Sequence, residues 1–247
     1  MSNPAINALY VHIPFCHRIC PFCSFAVRKN RPSAHREYLE AVLLETRRRI
    51  HVNTINDLES LYIGGGTPSV LSSTEIIFLM QGIRQSWPLS KQCQVSLECN
   101  PEDIQPNYLG TLLHSGVNRL SIGVQSFQQE FLKSLGRNHT VEHLRQNLIA
   151  LRDVGWTNVN VDLMFGLPNQ TLAQFQFDVN KALEWEPTHL SFYALELVEH
   201  TPYGKSQRIR KSWQEAQEIT TDMFLWATNY LEDNGWEHYE VSNFAKP

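Results

Sequence analysis

Three cysteines lie close together near the N-terminus, with the spacing Cys16-x-x-x-Cys20-x-x-Cys23. Three thiols this close in sequence can converge on one inorganic centre, because a short loop can turn all three sulfurs to one side. Ligation by three thiolates with one open position is typical of an iron–sulfur cluster whose fourth iron takes an external ligand. The spacing therefore predicts a cluster at these cysteines.

A structural zinc ion is the alternative for the same residues. Such a site normally needs four nitrogen or sulfur ligands, and no second Cys/His pair follows at zinc-finger spacing. His17, inside the loop, could be the fourth ligand, so a zinc-stabilised binding protein stays open. The remaining cysteines, Cys93 and Cys99, are interpreted as small core residues, and an odd total of five argues against a disulfide framework.

A glycine-rich run, Gly64-Gly65-Gly66-Thr67-Pro68-Ser69, follows a strand-like segment. Without Cβ atoms the backbone can approach a ligand closely and offer its N–H groups. The run matches neither a Walker loop, since no Gly-Lys-Ser/Thr follows, nor the pattern G-x-G-x-x-G. At the end of a strand it predicts a ligand contact of another kind.

The elements that must position these residues alternate between short strands and longer helices. The predicted strands are 9–15, 60–64, 94–100, 119–125, 158–165 and 189–197. The predicted helices are 34–51, 73–85, 107–115, 141–154, 171–184 and 213–233. Repeated β/α units predict an α/β fold with a parallel sheet, either a barrel or an open doubly wound sheet.

The predicted strands are apolar on one side and polar on the other. In 94–100, for example, Ser96, Glu98 and Asn100 alternate with apolar residues, and three other strands follow the same period of two. A parallel strand buried on both sides would be apolar almost throughout. The polar sides therefore favour a barrel lumen that holds a polar ligand. Glu98, Gln125 and Asp162 fall at the carboxyl ends of their strands, where such barrels carry their active sites.

Composition narrows the choice of partners. The 247 residues include 21 Lys+Arg and 25 Asp+Glu, which gives a formal charge of −4. This near-neutral balance does not indicate nucleic acid or a membrane surface as the main binding partner. No apolar run approaches the ~20 residues of a membrane span. The first residues lack the pattern of a signal peptide. We therefore expect a soluble, cytoplasmic protein.

Read in order, the motifs resemble those of the radical SAM superfamily. The resemblance rests on YVHIPFC at 10–16 with the two further cysteines, GGGTP at 64–68, SLE at 96–98, GVQSF at 123–127, LGR at 135–137 and DLMFGLP at 162–168. Within the superfamily, this set is similar to the group of oxygen-independent coproporphyrinogen III oxidases and HemW-type heme chaperones. The similarity covers nearly the whole chain.

This resemblance implies a partial (β/α)6 TIM-like barrel and two cofactors. Cys16, Cys20 and Cys23 would hold three irons of a [4Fe-4S] cluster, leaving the fourth iron for the amino and carboxylate groups of S-adenosylmethionine. The residues that match the family's S-adenosylmethionine-binding positions are Tyr10, Gly65, Gly66, Thr67, Glu98, Gln125, Arg137 and Asp162. No catalytic residue is assigned.

One position separates the two activities of the group. The oxidases carry a further cysteine two residues beyond the third cluster ligand, where this chain has Phe25. The resemblance therefore implies a heme chaperone that binds heme as cargo and passes it to an acceptor protein. An electron donor would be needed only if S-adenosylmethionine is cleaved. Oxygen-independent coproporphyrinogen III oxidation is the alternative activity.

Members of the resembled family continue beyond the position of Pro247 into a small C-terminal domain with an HNxxYW motif linked to heme binding. The resemblance therefore implies that 1–247 is the core domain of a truncated chain, with a barrel over about 1–235 and the start of a further domain at 236–247. No heme ligand is assigned. Five histidines are possible axial ligands, and each is better interpreted as an ordinary polar or capping residue: His12, His17, His114, His139 and His200.

Overall fold

A computed structural model describes residues 6–50 and 55–247. The strands in these residues are β1 (Ile6–Ile13), β2 (Phe15–Cys16), β3 (Arg28–Lys29), β4 (Ile55–Gly65), β5 (Leu89–Cys99), β6 (Arg119–Gln125), β7 (Val159–Phe165), β8 (His189–Ala194), β9 (Glu237–Glu240) and β10 (Asn243–Ala245). The α-helices are α1 (His35–Ile50), α2 (Ser73–Ser86), α3 (Pro106–His114), α4 (Gln129–Ser134), α5 (Val141–Asp153), α6 (Leu172–Leu183), α7 (Pro202–Lys205), α8 (Gln207–Glu215) and α9 (Gln217–Asp233). Among the helices of the described residues, none has the length and apolar character to cross a membrane.

The chain divides into two compact units. The first comprises the described residues within Met1–His17 and Phe25–Leu120, and the second comprises Arg18–Ser24 and Ser121–Pro247. The Cys16–Cys23 loop therefore contributes residues to both units.

In the first unit, three parallel strands lie in the order β1–β4–β5. The predicted alternation is present, because Val11, Leu61 and Val95 are buried while Tyr10 on the opposite side is exposed.

Local sequence determines where α2 begins. The Ser72 hydroxyl accepts from the backbone N–H of Glu75, the third residue of the helix. The carboxylate of Glu75 in turn accepts from the Ser72 N–H. This reciprocal cap satisfies two donors that the first turn would otherwise leave unpaired.

In the second unit the strand order is β6–β7–β8–β10–β9, with β7 and β8 parallel and the last two strands antiparallel to their neighbours. Polar side chains pair with one another across the sheet. Asn160 Nδ2 donates to Ser121 Oγ at 2.8 Å and to Asp162 Oδ1 at 2.6 Å. Ser191 Oγ lies 3.1 Å from Asn160 Oδ1 and 2.6 Å from Asn243 Oδ1. The polar side predicted for these strands is therefore a hydrogen-bonded network.

Two of the predicted elements are divided in the structure. Strand 9–15 is interrupted after Ile13, because Pro14 lacks the N–H needed to continue the ladder, and the chain resumes as β2 paired with β3. The prediction of one continuous helix over 213–233 is wrong. Trp213 belongs to α8, and α9 starts only at Gln217. Two helices form here because Trp213 anchors α8 through an Nε1–H bond to Leu195 O, whereas α9 packs on α6.

Two further predictions concern the helix at 34–51 and the domain boundary at 236. The predicted helix 34–51 corresponds to α1, and its last residue lies outside the described residues. Residues 236–247, assigned above to the start of a further domain, include β9 and β10, and β10 pairs with β8. The domain assignment stays a prediction.

The first testable prediction concerns Asp178, which is fully buried on α6. Burial raises the pKa of its carboxyl from 3.8 to about 6. Because the folded state holds this proton more tightly than the unfolded chain, the stabilisation is present below about pH 4 and is lost as pH rises through about 6. The difference corresponds to about 3 kcal/mol.

We expect D178N to remove this decline in the free energy of unfolding between pH 4 and 7. Urea unfolding of the cluster-free protein at a series of pH values measures it. D57N, at an exposed position of the first unit, should keep the decline seen in the unaltered protein. Equal pH profiles for D178N and the unaltered protein would contradict the prediction.

Candidate functional site

Cys16 is held in the first unit at the end of β2. Its carbonyl accepts from Asn30 N at 2.7 Å, and its side chain is buried. Gly66 passes beside it and donates its N–H to Ile13 O at 2.8 Å. A Cβ on Gly66 would lie 2.9 Å from both Cys16 Sγ and Phe15 O. Only glycine therefore lets the glycine-rich run approach this sulfur so closely.

Glu98 organises a second group of predicted residues in the first unit. Its carboxylate accepts from Gly65 N at 3.0 Å and from the Tyr62 hydroxyl at 2.9 Å. Burial raises the pKa of Glu98, and these two hydrogen bonds oppose the rise. The ring of Tyr10 stacks on Tyr62 with centroids 6.0 Å apart, and its hydroxyl lies 3.1 Å from His12 Nδ1. Gly65 has φ +117°, a backbone conformation that would be strained in any residue with a side chain.

Thr67 follows the glycines and is buried, with its hydroxyl 3.3 Å from Asn100 Nδ2. Nearby, Asp103 accepts from Ser69 Oγ at 2.6 Å and lies 3.1 Å from His17 Nε2. His17, the residue on which the zinc alternative depends, therefore contacts a carboxylate of its own unit.

Cys20 and Cys23 lie in the second unit on one turn, closed by a hydrogen bond from Cys23 N to Cys20 O of 3.1 Å. Both are partly buried. This segment is anchored by Tyr203, whose N–H donates to Pro21 O at 3.0 Å and whose hydroxyl donates to Ser134 O. The turn is therefore fixed by a residue far along the chain, for which the sequence carried no signal.

Arg137 joins the cysteine segment to the sheet of the second unit. Its Nη1 lies 3.7 Å from Cys20 Sγ, and its Nη2 donates to Gly123 O on β6 at 2.9 Å. Gln125 ends the same strand with φ 69°. Asp162, on the neighbouring strand β7, accepts from Ser121 Oγ at 3.2 Å. Gln125, Arg137 and Asp162, the predicted S-adenosylmethionine-binding residues of this unit, thus lie on or against β6 and β7.

The structure thus groups the predicted residues within each unit. Those in the first unit are Tyr10, Cys16, Gly65, Gly66, Thr67 and Glu98, and those in the second are Cys20, Cys23, Gln125, Arg137 and Asp162. Within either unit, the described residues contain no group of three or more His, Cys, Asp and Glu side chains arranged to hold a metal ion. Sequence reasoning missed Tyr62, although its alternation with Leu61 and Ile63 in β4 was a usable signal.

Comparison with known proteins identifies the family of this chain. The sequence model of the Radical SAM superfamily matches residues 10–182. The chain belongs to the radical SAM superfamily. Membership implies a [4Fe-4S] cluster and S-adenosylmethionine as cofactors.

Among curated radical SAM proteins, the chain is 36% identical to the heme chaperone HemW of Lactococcus lactis, over 98% of this chain and 62% of that protein. It is 32% identical to the oxygen-independent coproporphyrinogen III oxidase of Salmonella typhimurium, over 97% of this chain and 52% of that protein. The chain thus spans less than two thirds of the length of either relative.

A solved structure of coproporphyrinogen III oxidase (HemN) from Escherichia coli matches 97% of this chain and 55% of its own, with 29% identity and a TM-score of 0.82. The predicted fold class is confirmed, an α/β fold of the partial (β/α)6 radical SAM type.

The residues present fit both cofactors of the superfamily. The three thiols are soft donors of the kind that iron–sulfur clusters require. Gly66 leaves the space beside Cys16 Sγ that any other residue would fill. Carboxylates at Glu98 and Asp162 and the guanidinium of Arg137 match the ammonium, hydroxyl and carboxylate groups of S-adenosylmethionine.

The second testable prediction follows from the close approach of Gly66 to Cys16. The Cβ of G66A would meet backbone at Phe15 O as well as the sulfur, so it must displace the β2 end. We expect G66A to lose at least half of the iron and sulfide bound after anaerobic reconstitution. G110A is the control, because its Cβ on α3 meets nothing within 4 Å. Full cluster occupancy in G66A would contradict the prediction.

Proposed function

We propose that this protein is a radical SAM-type heme chaperone that binds heme and transfers it to an acceptor protein. The observation that carries the proposal is Phe25, which stands where the oxidases of the group have a further cysteine. Its side chain is 71% exposed and supplies no thiol. The HemW relatives, which are named heme chaperones, support the same choice.

In this proposal Cys16, Cys20 and Cys23 hold three irons of the cluster. When bound, the reduced cluster can supply an electron to the sulfonium of S-adenosylmethionine. The chain's own residues bind and orient that ligand. Arg137 pairs with its carboxylate, and Glu98, held by its bonds to Tyr62 and Gly65, accepts from an ammonium or hydroxyl group.

The remaining proposed contacts are of three kinds. Asp162 accepts hydrogen bonds from the ligand on the polar side of β7. Gly65 and Gly66 allow the backbone to approach it. Tyr10, Thr67 and Gln125 offer hydroxyl and amide groups around it.

Coproporphyrinogen III oxidation is the second candidate, favoured by the likeness to the oxidases of Salmonella typhimurium and Escherichia coli. In that activity the same cofactors would remove hydrogen from a propionate side chain, with loss of carbon dioxide. Phe25 argues against it.

We further propose a cytoplasmic location, since a cluster needs reduced thiolate ligands and a reducing compartment maintains them. The partners in this proposal are heme, a heme-acceptor protein and, if S-adenosylmethionine is cleaved, an electron donor. The heme ligand is left unassigned. Of the candidate histidines, His139 is fully buried and His114 Nδ1 lies 2.7 Å from Gly110 O.

The third testable prediction is the combined behaviour of the reconstituted protein. After anaerobic loading with iron and sulfide, we expect a [4Fe-4S] electron paramagnetic resonance signal that shifts when S-adenosylmethionine is added. We expect heme to bind with a Soret band, and no decarboxylation of coproporphyrinogen III. C23A should lose the cluster, whereas C93A, altered at a buried cysteine of β5, should keep it.

Each contrary result has its own meaning. Decarboxylation of coproporphyrinogen III would favour the oxidase. Zinc in place of iron and sulfide would favour the zinc-stabilised binding protein. A cluster whose signal ignores S-adenosylmethionine would contradict the proposed cofactor site.

A further inference from the structure

The backbone is strained at Gln125, where β6 ends. Ser126 N donates to Val124 O at 2.9 Å across a single residue, and that residue, Gln125, has φ 69°. This is the γ-turn with positive φ, which is rare and strained because the side chain crowds the backbone. A turn needed only to reverse the chain would be relieved by glycine. The amide side chain is therefore retained at a conformational cost.

A buried carboxylate holds the residues that follow this turn. Asp178 Oδ2 accepts from Ser126 Oγ at 2.7 Å, and Oδ1 accepts from Phe127 N at 2.8 Å. Asp178 is fully buried, and burying a carboxylate is expensive. Its hydrogen bonds reach the residues directly after Gln125 as well as the side chain of Gln128, the residue before α4.

A buried histidine holds the turn from its other end. His139 Nε2 lies 3.1 Å from Val124 O, and since a carbonyl only accepts, the ring nitrogen donates. Val124 O is also the acceptor that closes the γ-turn. His139 is fully buried, like Asp178. Two buried polar side chains, one on α6 and one in the loop between α4 and α5, thus fix the residues before and after Gln125.

We propose that Asp178 and His139 are positioning residues that maintain the strained turn and so orient the Gln125 side chain toward S-adenosylmethionine. This inference rests on the proposed role of Gln125 in binding that ligand. Neither residue touches the ligand. Each acts through the backbone on either side of the glutamine, where loss of a buried hydrogen bond lets the strained residue relax to negative φ.

The test is a double-mutant cycle between Asp178 and Gln125 on the reconstituted protein. The readout is the dissociation constant of S-adenosylmethionine, from titration of the cluster's electron paramagnetic resonance signal. We expect Q125A and D178A each to weaken binding about tenfold or more. The double variant should bind no more weakly than Q125A alone, because the turn has nothing left to orient.

Two variants separate positioning from general destabilisation. V179A truncates the next buried side chain of α6, which has no group that could hydrogen-bond to the turn, and it should leave affinity within about twofold of the unaltered protein. D178N keeps one carbonyl acceptor and should lose less affinity than D178A. H139F should weaken binding as D178A does. In every variant the signal of the cluster without ligand should be unchanged.

The outcomes distinguish this inference from the proposed function. If the unaltered protein binds S-adenosylmethionine and D178A binds it equally well, the inference is wrong and the cofactor site stands. The inference is also wrong if the losses in D178A and Q125A add, or if V179A loses as much affinity as D178A. If the unaltered protein binds no S-adenosylmethionine, the proposed cofactor role fails and the inference fails with it.

Discussion

The structure depends on a sheet whose strands have one apolar and one polar side. The apolar side is buried in the core, and each buried polar group on the other side must find a partner within the protein or in a ligand. In the second unit Asn160 meets this need by joining Ser121, Asp162 and Ser191. In the first unit Glu98 meets it through Tyr62 and Gly65. The carboxylates that we propose as ligands of S-adenosylmethionine are thereby held in place by the protein itself.

The same constraint explains where the glycines must be. A carboxylate on β5 can accept from the backbone of the glycine-rich run only if that backbone comes close, and Gly65 adopts φ +117° in doing so. One residue later, Gly66 passes within reach of Cys16 Sγ. The backbone of two consecutive glycines in this run therefore lies between the carboxylate of Glu98 and the sulfur of a predicted cluster ligand.

Much of this organisation was predictable from sequence, because it depends on short-range periodicity. The alternation of polar and apolar residues located β6 to the residue, and strand and helix ends elsewhere differ mostly by a few positions. Contacts between distant residues were not predictable. Tyr203 with Pro21 and Arg137 with Cys20 are separated by more than a hundred residues, and no local pattern signals them. The split between α8 and α9 likewise reflects tertiary packing, which overrides a continuous helical pattern.

Arg137 shows why the two proposed cofactors should be treated as coupled. Its guanidinium contacts Cys20 Sγ and Gly123 O, so it already links a predicted cluster ligand to β6 before it meets a carboxylate. Hydrogen bonds to cluster sulfurs tune the reduction potential, and a planar fork is suited to serve several acceptors at once. Loss of Arg137 would therefore disturb the cluster and the S-adenosylmethionine site together.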